Sequence, residues 1–131
     1  MARVVALIPD LLFGSRVQAD LTAAGHEVQL VAAPDLAVER LTAGDGVDGV
    51  DRVDVLVVDL TDPDLDWRGP VDEVLSQGGV HAAHARARIL GFYAHVDTAI
   101  RDRAKRAGFD SVVPRSRMAR EGAALVSDLA D

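Results

Sequence analysis

Two rhythms of apolar residues alternate along the chain. Continuous apolar runs bounded by turn residues, RVVALI at residues 3–8 and VLVVDL at 55–60 above all, read as strands buried on both faces of a parallel sheet. Shorter runs at 27–31, 88–94 and 110–113 predict three more. Between them the spacing turns helical: Val17, Leu21 and Ala24 mark a helix from about residue 13 that stops at Gly25. Pro34-Asp35 opens a second helix, with Leu36, Val38 and Leu41 as its apolar positions and Gly44 as its end. A third is predicted over residues 71–85 and a basic fourth over 97–107, ended by Gly108. The last, over 117–130, carries its apolar stripe on Met118, Ala124, Leu125, Val126 and Leu129.

Five strands alternating with five helices make an α/β chain. Right-handed crossovers force such a chain into a doubly wound parallel sheet, with its functional crevice at the carboxyl ends of the strands. At 131 residues, with 49% of them hydrophobic, it fits one domain over 1–131 with no separate output domain. There is no long uncharged apolar run, so a soluble cytoplasmic protein with no membrane partner is expected. The absence of cysteine excludes disulfides and thiolate chemistry.

Charge divides the chain. Residues 1–80 hold fifteen acids against five bases, and residues 81–131 hold six against nine, for a net charge of −7. An acidic protein repels phosphate at long range, which argues against nucleic acid as the partner. Asp45, Asp48, Asp51 and Asp54 lack the spacing of a calcium loop and read as a solvated stretch. His81 and His84 read as surface histidines of a helix rather than, with His95, as metal ligands.

Three strand ends carry polar groups that the topology converges: Asp10, Asp59 and Arg115. Asp59 is the most informative, because an ionisable residue closing a buried strand is costly unless it reaches the water-facing crevice. Trp67, the only tryptophan, follows this strand at the crevice mouth; it either covers the edge of the core or anchors a partner.

The segment DVLVVDLTDPDLDW, residues 54–67, resembles the receiver domains of two-component response regulators, where an aspartate ends the third strand and a proline follows four residues later, as Asp59 and Pro63 do. AAGHEV at 23–28 resembles the turn from first helix to second strand, and AKRAGFDSVV at 104–113 the fourth helix running into the fifth strand. The resemblance spans essentially the whole chain. It implies a flavodoxin-like fold with strand order 2-1-3-4-5 and helices on both faces.

It also implies a chemistry. Asp59 matches the family's phosphoacceptor, and the Thr61 carbonyl matches a magnesium ligand. The acidic pair after the first strand becomes Pro9-Asp10, so one carboxylate stands where the family has two. Tyr93 falls on the small hydroxyl position, where its ring either crowds the phosphoryl site or swings away. Arg115 replaces the lysine, with Ser116 for the usual proline, and a guanidinium is larger and fork-shaped. The aromatic switch position of the fifth strand falls on Val112.

These departures imply an atypical or pseudo-receiver, not an enzyme, signalling by protein-protein contact. No cofactor is required, and any magnesium would be held weakly by Asp10, Asp59 and Thr61. The alternative is a functional single-domain response regulator phosphorylated on Asp59 with magnesium. The chain lacks the DxHxxG pattern of a cobalamin-binding relative and the Gly-rich turn of a nucleotide-binding one. Other signalling proteins are the expected partners, through Trp67 and the basic residues Arg101, Arg103, Arg106, Arg117 and Arg120. The resemblance points to the face of the fourth helix, fifth strand and fifth helix, including a homodimer formed through it. The bland reading of the same residues is a solvated surface with local pairs such as Asp102 with Arg106.

Overall fold

The structure, a computed structural model, describes residues 2–43, 52–77 and 86–131. The elements run β1 (Arg3–Leu7), α1 (Leu11–Ala23), β2 (Glu27–Val31), α2 (Pro34–Ala43), β3 (Val55–Asp59), α3 (Arg68–Gln77), β4 (Arg88–Tyr93), α4 (Thr98–Ala107), β5 (Ser111–Pro114) and α5 (Arg115–Ala130). The five strands form one parallel sheet in the order β2-β1-β3-β4-β5. Gly44, Asp45, Asp48, Asp51, His81, His84 and the predicted end of the third helix lie outside the described residues. Among the described residues no helix is long and apolar enough to cross a membrane.

Strand alternation sorts the core into two layers. Val4, Ala6, Val55, Val57, Leu90 and Phe92 pack under Phe13, Val17 and Leu21 of α1 and Met118 and Val126 of α5. Val5, Leu7, Leu56, Val58, Ile89 and Tyr93 face the other way, onto Ala37 and Leu41 of α2, Val71 and Val74 of α3 and Ala104 of α4. β1, β3 and β4 are therefore apolar on both faces, which is why their sequence runs are continuous rather than alternating.

The helix starts depart from expectation for local reasons. Asp10 caps α1, its carboxylate accepting from the Phe13 N–H at 3.1 Å, so the helix begins at Leu11 and leaves Leu11 and Leu12 exposed. α3 starts three residues early, at Arg68, because Pro70 falls in a first turn where its missing N–H costs nothing. α5 starts at Arg115, directly after Pro114, whose extended φ of −62° and ψ of 149° end β5. Three predicted apolar positions are wrong. Ala24 is exposed as the cap that follows α1, Leu36 is 41% exposed, with Ala37 taking its place, and Ala124 faces solvent while Gly122 and Val126 pack inward.

The amino ends of the strands are tied by side chains. Asp54 accepts the Arg3 N–H at 2.9 Å, and Asp110 accepts the Ile89 N–H at 2.7 Å while taking the Arg86 guanidinium through both oxygens, at 2.8 and 3.0 Å. These clamps leave the carboxyl ends, where the candidate site lies, to be organised by loops.

Candidate functional site

Asp59 closes β3 with its side chain on the α1–α5 side of the sheet, and it is only 1% exposed. Its Oδ1 accepts two bonds from one residue, the Thr61 N–H at 2.8 Å and the Thr61 hydroxyl at 2.5 Å. An aspartate followed two residues later by threonine folds back locally in this way, the carboxylate replacing a backbone acceptor in the turn. Burial pushes the Asp59 carboxyl above the usual carboxylate range; the Thr61 bonds pull it down, Asp62 pushes it up again and Arg115 pulls it down, with burial prevailing. The carboxyl is thus enclosed, with Oδ1 engaged by Thr61.

Asp10 and Arg115 do meet. The guanidinium lies 3.5 Å from Asp10 Oδ2 and stacks 4.2 Å from the Phe13 ring centroid, so it bridges the start of α1 and the start of α5. Asp10 thereby commits Oδ1 to the helix cap and Oδ2 to the ion pair.

Tyr93 swings away. Its ring belongs to the layer under α3 and α4, 6% exposed, and its hydroxyl reaches the Arg101 guanidinium on α4. The residue paired with Asp59 across the β3–β4 register is Phe92, which stacks at 5.1 Å on Phe13. Neither aromatic ring offers the hydroxyl that a small residue would present there. Val112 packs against the same layer as Tyr93, so the aromatic volume sits on β4 instead of β5.

The basic surface is reduced by internal pairing. Trp67 is a core residue, 4% exposed, edge-on to Phe109 at 5.2 Å; of its two readings the core-edge one holds, because the β3–α3 loop folds it beneath the Arg68 and Arg103 guanidiniums at 5.6 and 5.5 Å. Asp102 pairs with Arg101 at 3.2 Å rather than with Arg106, and Arg117 and Arg120 share Glu121 at 3.3 and 3.8 Å. Arg106 has no ion pair among the described residues. The sequence reading missed the Thr61 lock, although the Asp-x-Thr spacing at a strand end carried the signal. It also missed the Arg101 contact of Tyr93, which no spacing announces.

The fold is shared with solved structures. The receiver domain of the Francisella response regulator 1452 superposes with a TM-score of 0.73 at 15% identity, covering 99% of this chain and 97% of that one. The signal receiver domain of the putative response regulator NarL from Mycobacterium tuberculosis gives 0.74 at 23% identity, over 98% and 95%. The chemotaxis protein CheY4 of Vibrio cholerae gives 0.75 at 17%, over 98% of each chain. The chain has the receiver-domain fold. No family model matches the sequence, and no curated protein is similar enough to count as a relative. The likeness is one of shape.

Magnesium is the ion that the receiver fold implies. It demands near-octahedral oxygen coordination. Here Asp10 has one oxygen on the α1 cap and the other on the Arg115 guanidinium, and Asp59 has Oδ1 on Thr61. Among the described residues no three His, Asp or Glu side chains are grouped to hold a metal.

Proposed function

We propose that the chain is a receiver-like signalling module that acts through protein-protein contact and carries a degenerate phosphorylation site. The observation that carries this is the state of Asp59: 1% exposed, bonded twice by Thr61 and raised in pKa by burial. Phosphoryl transfer to a carboxylate needs an accessible anion and cations arranged around the transferring oxygens. The crevice supplies one guanidinium, already paired with Asp10. A titration of the protein with magnesium tests the reading. No saturable heat at millimolar concentrations is expected, and a defined binding isotherm lost in Asp59→Asn would sink it.

One observation favours the second reading, an active phosphoacceptor. With the Tyr93 ring turned toward α4, Arg115 is near enough to lower the Asp59 pKa while touching Asp10. A rotation of Thr61 would then leave three converging groups.

A further inference from the structure

Between the β3–α3 loop and the first turn of α4 lies an open slot of about 360 Å³. Leu65, Trp67 and Ile100 make its floor, Asp62 and Asp97 stand on its rim, and Thr61 forms the wall it shares with the Asp59 site. Both carboxylates are held in place by the backbone: Asp62 Oδ1 accepts the Asp64 N–H at 2.9 Å, and Asp97 Oδ1 accepts the Ile100 N–H at 3.1 Å as the cap of α4. Neither has an ion-pair partner among the described residues. The cation lining the slot, Arg103, lies over the indole of Trp67 instead of on either carboxylate. Asp64 and Asp66 line the adjoining pocket beside Arg68, which is stacked on the same indole. The local balance is therefore negative, four carboxylates against two guanidiniums that are both engaged by Trp67.

We propose that this slot is the docking site for a cationic side chain, arginine or lysine, presented by an apolar segment of a partner polypeptide. The proposal rests on the reading of the chain as a partner-binding module and names the chemistry of the partner. Charge complementarity selects the head group, because two fixed and unpaired carboxylates attract an ammonium or guanidinium and repel an acidic segment. The floor selects the rest. An arginine or lysine carries an apolar stem that would cover Leu65 and Ile100 while its head reaches the rim, whereas a hydrated metal ion gains nothing from that floor. The slot is lined from α4 by Ala99, Ile100 and Arg103 and from the β3–α3 loop by Thr61, Asp62, Leu65 and Trp67.

The double variant Asp62→Asn/Asp97→Asn tests this, since asparagine keeps both backbone hydrogen bonds and the helix cap while removing both charges. The probe is a short helical peptide of leucine, alanine and arginine, with glutamate replacing arginine in its control. The readout is Trp67 emission, which reports from the floor. A saturable change with the arginine peptide alone is expected, weakened about tenfold by the double variant. The variant Asp20→Asn/Asp128→Asn, which removes the same charge elsewhere, should bind as the wild type does. No saturable change, an equal response to the glutamate peptide, or equal weakening by the control variant would overturn the proposal. The titration uses unphosphorylated protein, whereas a phosphoryl gain on Asp59, which would defeat the proposed function, is read separately by intact mass, so the two failures are separable.

Discussion

Asp59→Asn keeps the shape of the side chain and its acceptor oxygen for Thr61 while removing a charge from a nearly closed site. Burial raises the folded-state pKa of Asp59 above that of the unfolded chain, so the native state holds this proton more tightly. The contribution of such a group is fully present below its unfolded pKa of about 3.9 and is lost as pH rises through the folded value. The Thr61 and Arg115 interactions oppose the burial effect without overturning it. Asp59→Asn is expected to gain stability at pH 7 to 8, by about 1–2 kcal/mol, the scale of a typical single substitution. That corresponds to a rise of roughly 3–8 °C in Tm for a domain of this size. Urea unfolding of both proteins between about pH 4 and 8, followed by Trp67 emission and circular dichroism, measures it. The gain should vanish toward pH 4 and reach a plateau above the folded pKa. A pH-independent difference, or a variant that loses stability as pH rises, would refute the burial argument.

Other positions give independent checks. A Cβ at Gly91 would stand 2.7 Å from the Phe109 ring and 2.8 Å from Leu60, so Gly91→Ala should cost about 1–3 kcal/mol by thermal unfolding through overpacking between β4 and its neighbours. His26, 5% exposed, accepts the Ala2 N–H on Nδ1 at 3.0 Å and lies 3.0 Å from the Ser127 hydroxyl through Nε2. Because a backbone N–H can only donate, Nε2 carries the proton; His26→Ala should lose about 2–3 kcal/mol and loosen the end of α5, read by amide exchange. Burial pushes the Asp110 carboxyl up, but the Arg86 fork, the Ile89 N–H and Arg88 together hold it below the usual range. Its stabilisation is present above the unfolded pKa and lost as pH falls through the folded one, so Asp110→Ala should cost about 1 kcal/mol at neutral pH and progressively less under acid.

The fold was legible because β1, β3 and β4 are buried on both faces and leave unbroken apolar runs, while Gly25 and Gly108, at φ of 95° and 110°, mark the ends of α1 and α4. Boundaries were less so. Asp10, Pro70 and Pro114 each serve a helix start, and a residue that suits either a loop or a first turn does not say which. The convergence of Asp10, Asp59 and Arg115 followed from strand order alone. What their side chains do there did not, because it depends on competition among local partners. Thr61 takes Asp59, the α1 cap and Arg115 take Asp10, and Arg101 takes the Tyr93 hydroxyl. Trp67 followed the same rule: sequence placed it at the crevice mouth, and the stacking of Arg68 and Arg103 decided that it is covered.

The central claim is that Asp59 is closed to phosphoryl transfer. Incubating the protein with a small phosphodonor and magnesium, then measuring its intact mass, tests that claim most directly. An unchanged mass in both wild type and Asp59→Asn is the predicted result; a stable gain of one phosphoryl group in the wild type, absent from Asp59→Asn, would contradict it.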